Sequence, residues 1–466
     1  MNKLRMIQSL SLSLLLLYSV LLSLSQDKQR LSSESYVSND GLTVEQLLEL
    51  AKKHRLDLMA LKQNLEIAKA KILQARLFPN PTLDIEYASP RFLGGEPEKD
   101  FSVGISRNFE TAGKRRKRIQ IASLELSKIE ADISALERKI AAEVRMAYVE
   151  ALAKARQLDT LEKLIQANEQ IILLTEARMK QGDVAPLDVN LIRVETDKLR
   201  SQALLTKSEL EIKILQLKNL VSIDLSESIK IKLQSQRPPR LDLGLTDLID
   251  IALKERADLK TLRLQEEIAS KKIGLAKANA IPNITGSMQF STKKQIVDLP
   301  ANINGVGLDK DKELKFVVSI EIPIFNRNQA EIISATSEMV QSRYNREYLE
   351  SLIKQEVTIA YRKYRAAAEQ LVLYGSQIIP RSEANLQSIK SAYNFGEFSV
   401  FEVIAEQRKL LEFVTEYNDS LREYYASIVE LESAIGTNIP ANAFSVDSLI
   451  TYDEKVFGDT TKRKQD

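Results

Sequence analysis

The sequence predicts a mainly α protein that also carries a few β-strands with one apolar and one polar face, a pattern shared by half-buried soluble sheets and membrane strands, and three observations lead there. Helix breakers are scarce, with 15 Gly and 12 Pro in 466 residues. That is too few turns for two or three ordinary domains of this combined length, in a chain rich in Leu, Lys, Glu and Ala. The chain is also written twice. Ala51-Lys-Lys-His-Arg55-Leu-Asp57-Leu58 is answered by Ala252-Leu-Lys-Glu-Arg256-Ala-Asp258-Leu259, Gln74-Ala-Arg-Leu-Phe-Pro79-Asn80 by Lys277-Ala-Asn-Ala-Ile-Pro282-Asn283, and Gly182-Asp-Val-Ala-Pro-Leu-Asp188-Val189 by Gly396-Glu-Phe-Ser-Val-Phe-Glu402-Val403. Finally, each half contains two short runs of strict apolar–polar alternation set between very long helical runs.

Taken in order, Lys3 and Arg5 precede an uncharged apolar run from Leu10 to Leu24, followed by the small residues of Ser23-Leu24-Ser25. This reads as a secretory signal peptide over residues 1–25; the run is shorter than the roughly 20 residues a membrane-spanning helix needs. Its removal takes away two cations and no acid, and leaves a formally neutral chain. No later stretch is apolar enough for a helical span, so any membrane insertion must use strands.

The first repeat occupies 26–240. A capping box of Thr43 and Gln46 opens a helix that runs to about Leu77, where Phe78-Pro79-Asn80-Pro81 stops it. Strands follow at about 82–90 and 100–109, joined through Gly94-Gly95. In them Leu83, Ile85, Tyr87, Phe101, Val103, Ile105 and Phe109 alternate with polar residues and Gly104. From Lys114 to Met179 neither Pro nor Gly interrupts, and Ile119, Ala122, Leu126, Ile129, Ile133, Leu136, Ile140 and Val144 step by three and four as a coiled-coil seam. Such a helix is about 100 Å long. A turn at about 180–190 reverses the chain.

The second repeat occupies 241–440, with strands at about 283–292 and 313–323, a long helix from about Ala330 to Tyr393 that Pro380 should kink, and a turn at about 394–404. Residues 441–466 form a C-terminal tail. Four strands cannot close a barrel alone, and no others are legible in the chain.

Composition excludes much of the usual chemistry. With no Cys and the single His54, neither a thiol site nor a zinc cluster can be assembled, and no cofactor or metal site is expected. His54 reads as an exposed helical position. Formal charge of +2 over 466 residues gives no basis for nucleic-acid binding, which depends on phosphate neutralisation. No nucleotide-binding loop is present, and the chain is not read as an enzyme.

The duplicated helix ends at Pro79 and Pro282, the strand pairs, and the two Gly-x-x-x-x-x-[Asp/Glu]-Val turns resemble the TolC-type outer-membrane efflux family over essentially the whole mature chain. Glu110-Thr-Ala-Gly113-Lys114-Arg115 and Pro323-Ile-Phe-Asn326-Arg327-Asn328-Gln329 are similar to the branch associated with cobalt, zinc, cadmium or copper export. The resemblance implies a homotrimer in the cell outer membrane. Its twelve strands would close one barrel and its twelve helices continue it as a hollow periplasmic tunnel, with the C-terminal tail also periplasmic. The implied partners are a periplasmic adaptor protein and an inner-membrane transporter of RND type, with outer-membrane lipid around the barrel.

The resemblance also implies roles for particular residues. Gly182 and Gly396 would mark the periplasmic tip, where the family closes as an iris. Asp188 matches an acid that bonds to a Tyr and an Arg of the other turn; Tyr393 keeps the Tyr, while Phe398 stands at the Arg position. Glu402 matches a pore-ring carboxylate, Ala405 replaces the next acid, and Glu406 follows it. The plain alternative for these acids is a solvated helix terminus. Asp84, Glu86, Lys315 and Glu321 would line the barrel lumen. Apart from the resemblance, the basic run Lys114, Arg115, Arg116, Lys117 and Arg118 falls where strand becomes helix and reads either as meeting lipid phosphates there or, equally, as a solvated charged face.

The reading is a passive outer-membrane exit duct of a tripartite efflux system, with heavy-metal cations as its cargo. The same duct serving drug efflux or type I protein secretion stays open, and a non-conducting exported coiled-coil scaffold is the more distant alternative.

Overall fold

The protein is described from a computed structural model that covers residues 36–89, 98–232, 238, 240–298, 306–440 and 443–445. The expected signal peptide at 1–25, the Gly94-Gly95 turn and residues 446–466 of the tail lie outside the described residues.

The Thr43 capping box forms as expected. Thr43 Oγ1 accepts from the Gln46 N–H at 3.3 Å, and Gln46 Oε1 accepts from the Thr43 N–H at 2.9 Å. The helix it opens is not continuous to Leu77, however. It is two helices, α1 (Val44–His54) and α2 (Leu56–Arg76), separated by Arg55 in an extended conformation. The interruption has a polar cause. Arg55 Nη2 binds Asp57 at 2.8 Å and its Nη1 binds Glu143 at 2.8 Å, while Asp57 accepts the Leu58 N–H at 2.8 Å and so opens the second helix. The second repeat copies this between α5 (Leu245–Glu255) and α6 (Ala257–Asn279): extended Arg256 binds Asp258 and Glu356, and Asp258 accepts the Leu259 N–H. The break separates a segment packed into the core, which buries Leu47, Leu48 and Ala51, from one that buries only Leu58 and Ala68.

Helix α3 (Lys114–Gln181) runs 68 residues without interruption, about 100 Å at 1.5 Å per residue, and returns as α4 (Pro186–Leu220). The seam holds: Ala122, Ile133, Ile140 and Val144 are buried, and Ile129 and Leu136 pack against the core. In the second half, α7 (Gln329–Leu373) continues through a wide π turn, Tyr374–Ile378, into α8 (Ile379–Asn394), and α9 (Val400–Ile435) completes the hairpin. The π turn is the local answer to Pro380, which has no N–H and whose ring clashes with a helical carbonyl one turn back. The Ile379 N–H reaches instead to the Tyr374 carbonyl, five residues away.

Each repeat has its own core around the middle of its long helix. One is built on Leu47, Ile140, Leu158, Leu210 and Leu217, the other on Leu248, Ile353, Leu371, Leu410 and Tyr424. Two-residue ladders unseen in the sequence flank them: Val37–Ser38 beside Ile231–Lys232, and Arg240–Leu241 beside Phe444–Ser445. A tyrosine of each long helix pins its ladder. Tyr148 donates to the Lys232 carbonyl at 2.6 Å, and Tyr364 accepts from the Leu241 N–H at 2.8 Å.

The remaining strands, β1 (Thr82–Ala88), β2 (Lys99–Phe109), β3 (Ile284–Asp298) and β4 (Val306–Ile320), form one antiparallel sheet in that order. β2 pairs with β3 across the repeat boundary, so the two halves share one sheet. Strands β3 and β4 are 15 residues each, longer than their alternation suggested. The apolar signal stops at charged residues such as Lys293 and Lys312, whereas the backbone ladder continues past them. Among the described residues, β1 and β4 each keep one unpaired edge.

Candidate functional site

Two regions carry the functional geometry: the wall of the sheet and the helical tip. On the wall the register aligns Asp84, Gly104, Gln289 and Lys315 in one rung, and Glu86, Ser102, Ser291 and Glu313 in another of the same face. The opposite face carries Leu83, Ile105, Met288 and Phe316, then Ile85, Val103, Phe290 and Leu314. Exposure is the reverse of a soluble protein's. Phe316 is 70% and Leu83 66% exposed, while Ser102 is 5% exposed and donated to by Gln289 Nε2 at 2.9 Å. The two central strands, β2 and β3, thus shelter their polar face and present their apolar one, which satisfies a lipid surround and not water, while β1 and β4 are exposed on both faces. Asp84, Glu86 and Lys315 share the polar face. Glu321 lies one residue past the end of β4 at Ile320, outside the paired ladder.

Where strand becomes helix, the basic run is largely engaged within the chain. Lys114 is buried, its Nζ donating to the Ile281 carbonyl and Asn283 Oδ1, both at 2.6 Å. Arg115 donates to the Arg76 carbonyl at 2.7 Å and lies over the Phe78 ring at 3.9 Å. Arg118 grips Glu110 with both guanidinium nitrogens. Three of the five are therefore bolts of the strand–helix joint, leaving Arg116 as the exposed one. The two stretches that resembled the metal-export branch form matching joints: Gly113 (φ 67°) and Asn328 (φ 58°) take the left-handed conformation just before α3 and α7. Asn328 Nδ2 also donates to the Ala276 carbonyl at 2.8 Å.

At the far end, Gly182 (φ 88°) and Gly396 (φ 80°) cap α3 and α8. The same pair of bonds recurs in both. The N–H of each glycine reaches back three residues, and the next N–H reaches back five, to Arg178 and to Ala392, at 3.0 Å throughout.

The expected link from Asp188 to Tyr393 is not made. The Tyr393 hydroxyl lies 2.9 Å from Thr175 Oγ1, and Arg178 Nη1 donates to the Tyr393 carbonyl at 3.0 Å with its guanidinium 5.1 Å from the ring centroid. Arg178 of the first repeat thus brings a cation to Tyr393, although not to Asp188. Asp188 sits in the first turn of α4, where the helix dipole favours an acid. Glu402 is likewise a cap residue, its carboxylate accepting from the Ser399 N–H at 3.0 Å and from the Ser399 hydroxyl, which hold its pKa below the usual carboxylate range. Glu406 is buried and paired with Lys409 at 3.3 Å. The alternative of acids at helix termini describes Asp188 and Glu402; Glu406 instead faces the helix packing.

Sequence reasoning missed a second tie. Buried Glu195 of α4 receives Arg408 of α9 through both guanidinium arms, Nε at 3.0 Å. That pairing holds the Glu195 pKa below its ordinary value despite burial. Only the fold brings these positions together, so no spacing announces them.

Among the described residues, no group of His, Cys, Asp or Glu could hold a metal ion, and no helix is long and apolar enough to cross a membrane.

Comparison with known proteins agrees with this geometry. The outer membrane efflux protein family matches residues 47–222 and 248–437, one match per repeat. The cobalt-zinc-cadmium resistance protein CzcC of Cupriavidus metallidurans is 21% identical over 404 residues, covering 85% of this chain and 90% of that protein. The outer membrane protein TolC of Vibrio cholerae is 20% identical over 369 residues, covering 78% and 83%. Among solved structures, CusC, studied for its transmembrane channel formation, superposes with a TM-score of 0.67 at 22% identity over 85% of this chain and 92% of that one. The outer membrane protein VceC of Vibrio cholerae gives 0.64 at 18% identity over 85% and 96%.

Proposed function

We propose that this chain, which belongs to the outer membrane efflux protein family, is the exit duct of a tripartite efflux system, and that three copies close a twelve-stranded barrel in the outer membrane. The observation that carries the proposal is the sheet with an apolar face presented along all four strands, a polar face sheltered on β2 and β3, and an open edge on β1 and on β4. Unpaired edges are not tolerated in lipid, so β1 of one copy must meet β4 of the next.

Two copies would give eight strands, whose interior is filled by side chains. Twelve strands about 4.8 Å apart and tilted about 40° give a backbone diameter of about 24 Å, which leaves an aqueous lumen. Asp84, Glu86 and Lys315 would line it. The two helical hairpins of each copy would continue the wall as a periplasmic tunnel.

The tip would close where α3 is tied to α8 by Thr175, Arg178 and Tyr393 and α4 to α9 by Glu195 and Arg408. A periplasmic adaptor, coupled to an inner-membrane RND-type transporter, would dock there; Leu187, Phe395, Phe398 and Phe401 are exposed for such a contact. For cargo we favour hydrated heavy-metal cations, on the strength of the relation to a cobalt-zinc-cadmium resistance protein and a lumen without soft ligands that would hold them.

The chain has no Cys, so introduced pairs report cleanly. Ile85→Cys combined in turn with Leu314→Cys, Phe316→Cys or Val318→Cys should, in one register, oxidise to covalent trimers in membranes. Products that stop at dimers, or a protein that stays soluble and monomeric, would refute the three-fold barrel.

A further inference from the structure

The ladder gathers three lysines that the sequence keeps far apart. Lys99 is in register with Lys294, and Lys294 with Lys310, so all three occupy one rung of the apolar face on three adjacent strands. Strands lie about 4.8 Å apart, which packs three cations into about 10 Å. Like charges directly opposite one another are destabilising. The adjacent rung of the polar face shows the usual remedy: Lys293 stands between Asp100 and Asp311. The lysine rung has no such acid, and none of its members forms an ion pair among the described residues.

Its height matters as much as its charge. Lys99, Lys294 and Lys310 are each ten residues along the strand from Phe109, Ile284 and Ile320, which themselves form one rung next to the helices. Ten residues of strand tilted about 40° rise about 26 Å, the thickness of the apolar band of an outer-membrane barrel. Between the two rungs this face carries Val103, Ile105, Met288, Phe290, Leu314 and Phe316, with Arg107 one rung from the helix end and Lys312 one rung below the row. Beyond it on this face the ladder holds two more rungs, Ile296 with Leu308 and then Asp298 with Val306.

We propose that Lys99, Lys294 and Lys310 form a docking rung for the phosphate groups of outer-leaflet lipid, repeated three times around the assembled barrel. The proposal rests on the barrel reading above. Phosphate supplies the charge that the sheet omits, at the level where headgroups begin.

The test uses the purified full-length chain in neutral detergent, titrated with a diphosphorylated disaccharide glycolipid and with the same lipid stripped of phosphate, binding being read by native mass spectrometry. The phosphorylated lipid should bind at least tenfold more tightly. The triple variant Lys99→Gln, Lys294→Gln, Lys310→Gln should lose about a hundredfold, roughly fivefold per cation, while the corresponding triple Arg variant keeps its affinity. Equal binding of the two lipids by the wild-type chain would overturn the proposal, as would an unaffected Gln variant. Displacement of the lipid by inorganic phosphate at an equal concentration would overturn it too, since the rung would then be a site for any small anion. Should the Gln variant fail to fold, the wild-type comparison of the two lipids still decides. Insertion of the wild-type chain into phosphatidylcholine vesicles is measured alongside: failure to insert refutes the barrel, whereas insertion with equal lipid binding refutes the rung alone.

Discussion

If the tip opens by parting the first hairpin from the second, the ties at Tyr393 set the closed state, and removing them singly should open the duct in a definite order. Tyr393→Phe deletes one buried hydroxyl contact, to Thr175. Thr175 keeps its bond to the Ile171 carbonyl at 2.8 Å, so nothing is left wholly unpaired and the loss is about 1 kcal/mol per copy. Arg178→Ala removes a charged donor to the Tyr393 carbonyl together with the ring contact, about 2–3 kcal/mol per copy. Asp188→Ala removes neither.

If three copies open together, Tyr393→Phe shifts the open-to-closed ratio by about 3 kcal/mol, roughly a hundredfold, and Arg178→Ala by enough to abolish closure. Single-channel conductance in planar bilayers reads this directly. The expected order is Arg178→Ala above Tyr393→Phe, with Asp188→Ala near wild type. An Asp188→Ala channel as open as Arg178→Ala, or an unchanged Arg178→Ala trimer, would refute the assignment.

Other outcomes follow from the same contacts. Arg256, 12% exposed at its side chain, anchors Asp258, Glu356 and the Ala434 carbonyl, so Arg256→Ala should cost about 2–3 kcal/mol in denaturant unfolding; Arg55→Ala, at the more open copy of the joint, should cost about 1. Arg55 holds the Asp57 carboxyl below its usual range, and Arg256 does the same for Asp258 even though burial there works the other way. Both joints therefore contribute fully above the unfolded value of about 3.9 and lose that contribution as pH falls through the lower folded values, which hydrogen exchange at Leu58 and Leu259 would follow. In α8, burial pushes the Glu383 carboxyl up to about 7. An acid raised in the folded state costs stability as pH climbs from about 4.3 toward 7, so Glu383→Gln should protect α8 from exchange at neutral pH and make no difference at pH 4.

How much of this was legible in the sequence depended on whether the signal was local. The capping box of Thr43 and Gln46, the two turn glycines, the seam of α3 and the alternation of β1 to β4 are all set by residues within a few positions of one another, and each formed, with β3 and β4 extending toward their hairpin beyond the alternating stretch. Arg55 and Asp57 were visible as a repeated pair. Their role was not, because the third partner, Glu143, lies 88 positions away. The same holds for Glu195 with Arg408, 213 positions apart, and for Thr175 with Tyr393. Charged runs misled in both directions. The run from Lys114 to Arg118 suggested an exposed patch, yet Lys114 is buried at the joint, while lysines scattered at 99, 294 and 310 are gathered into one rung by pairing alone. The duplication explains why the local features come in pairs. The latch does not: Arg178 and Thr175 of one repeat close on Tyr393 of the other, and the corresponding second tie, from Glu195 to Arg408, also crosses between repeats. These ties therefore belong to the interface between two once-equivalent halves.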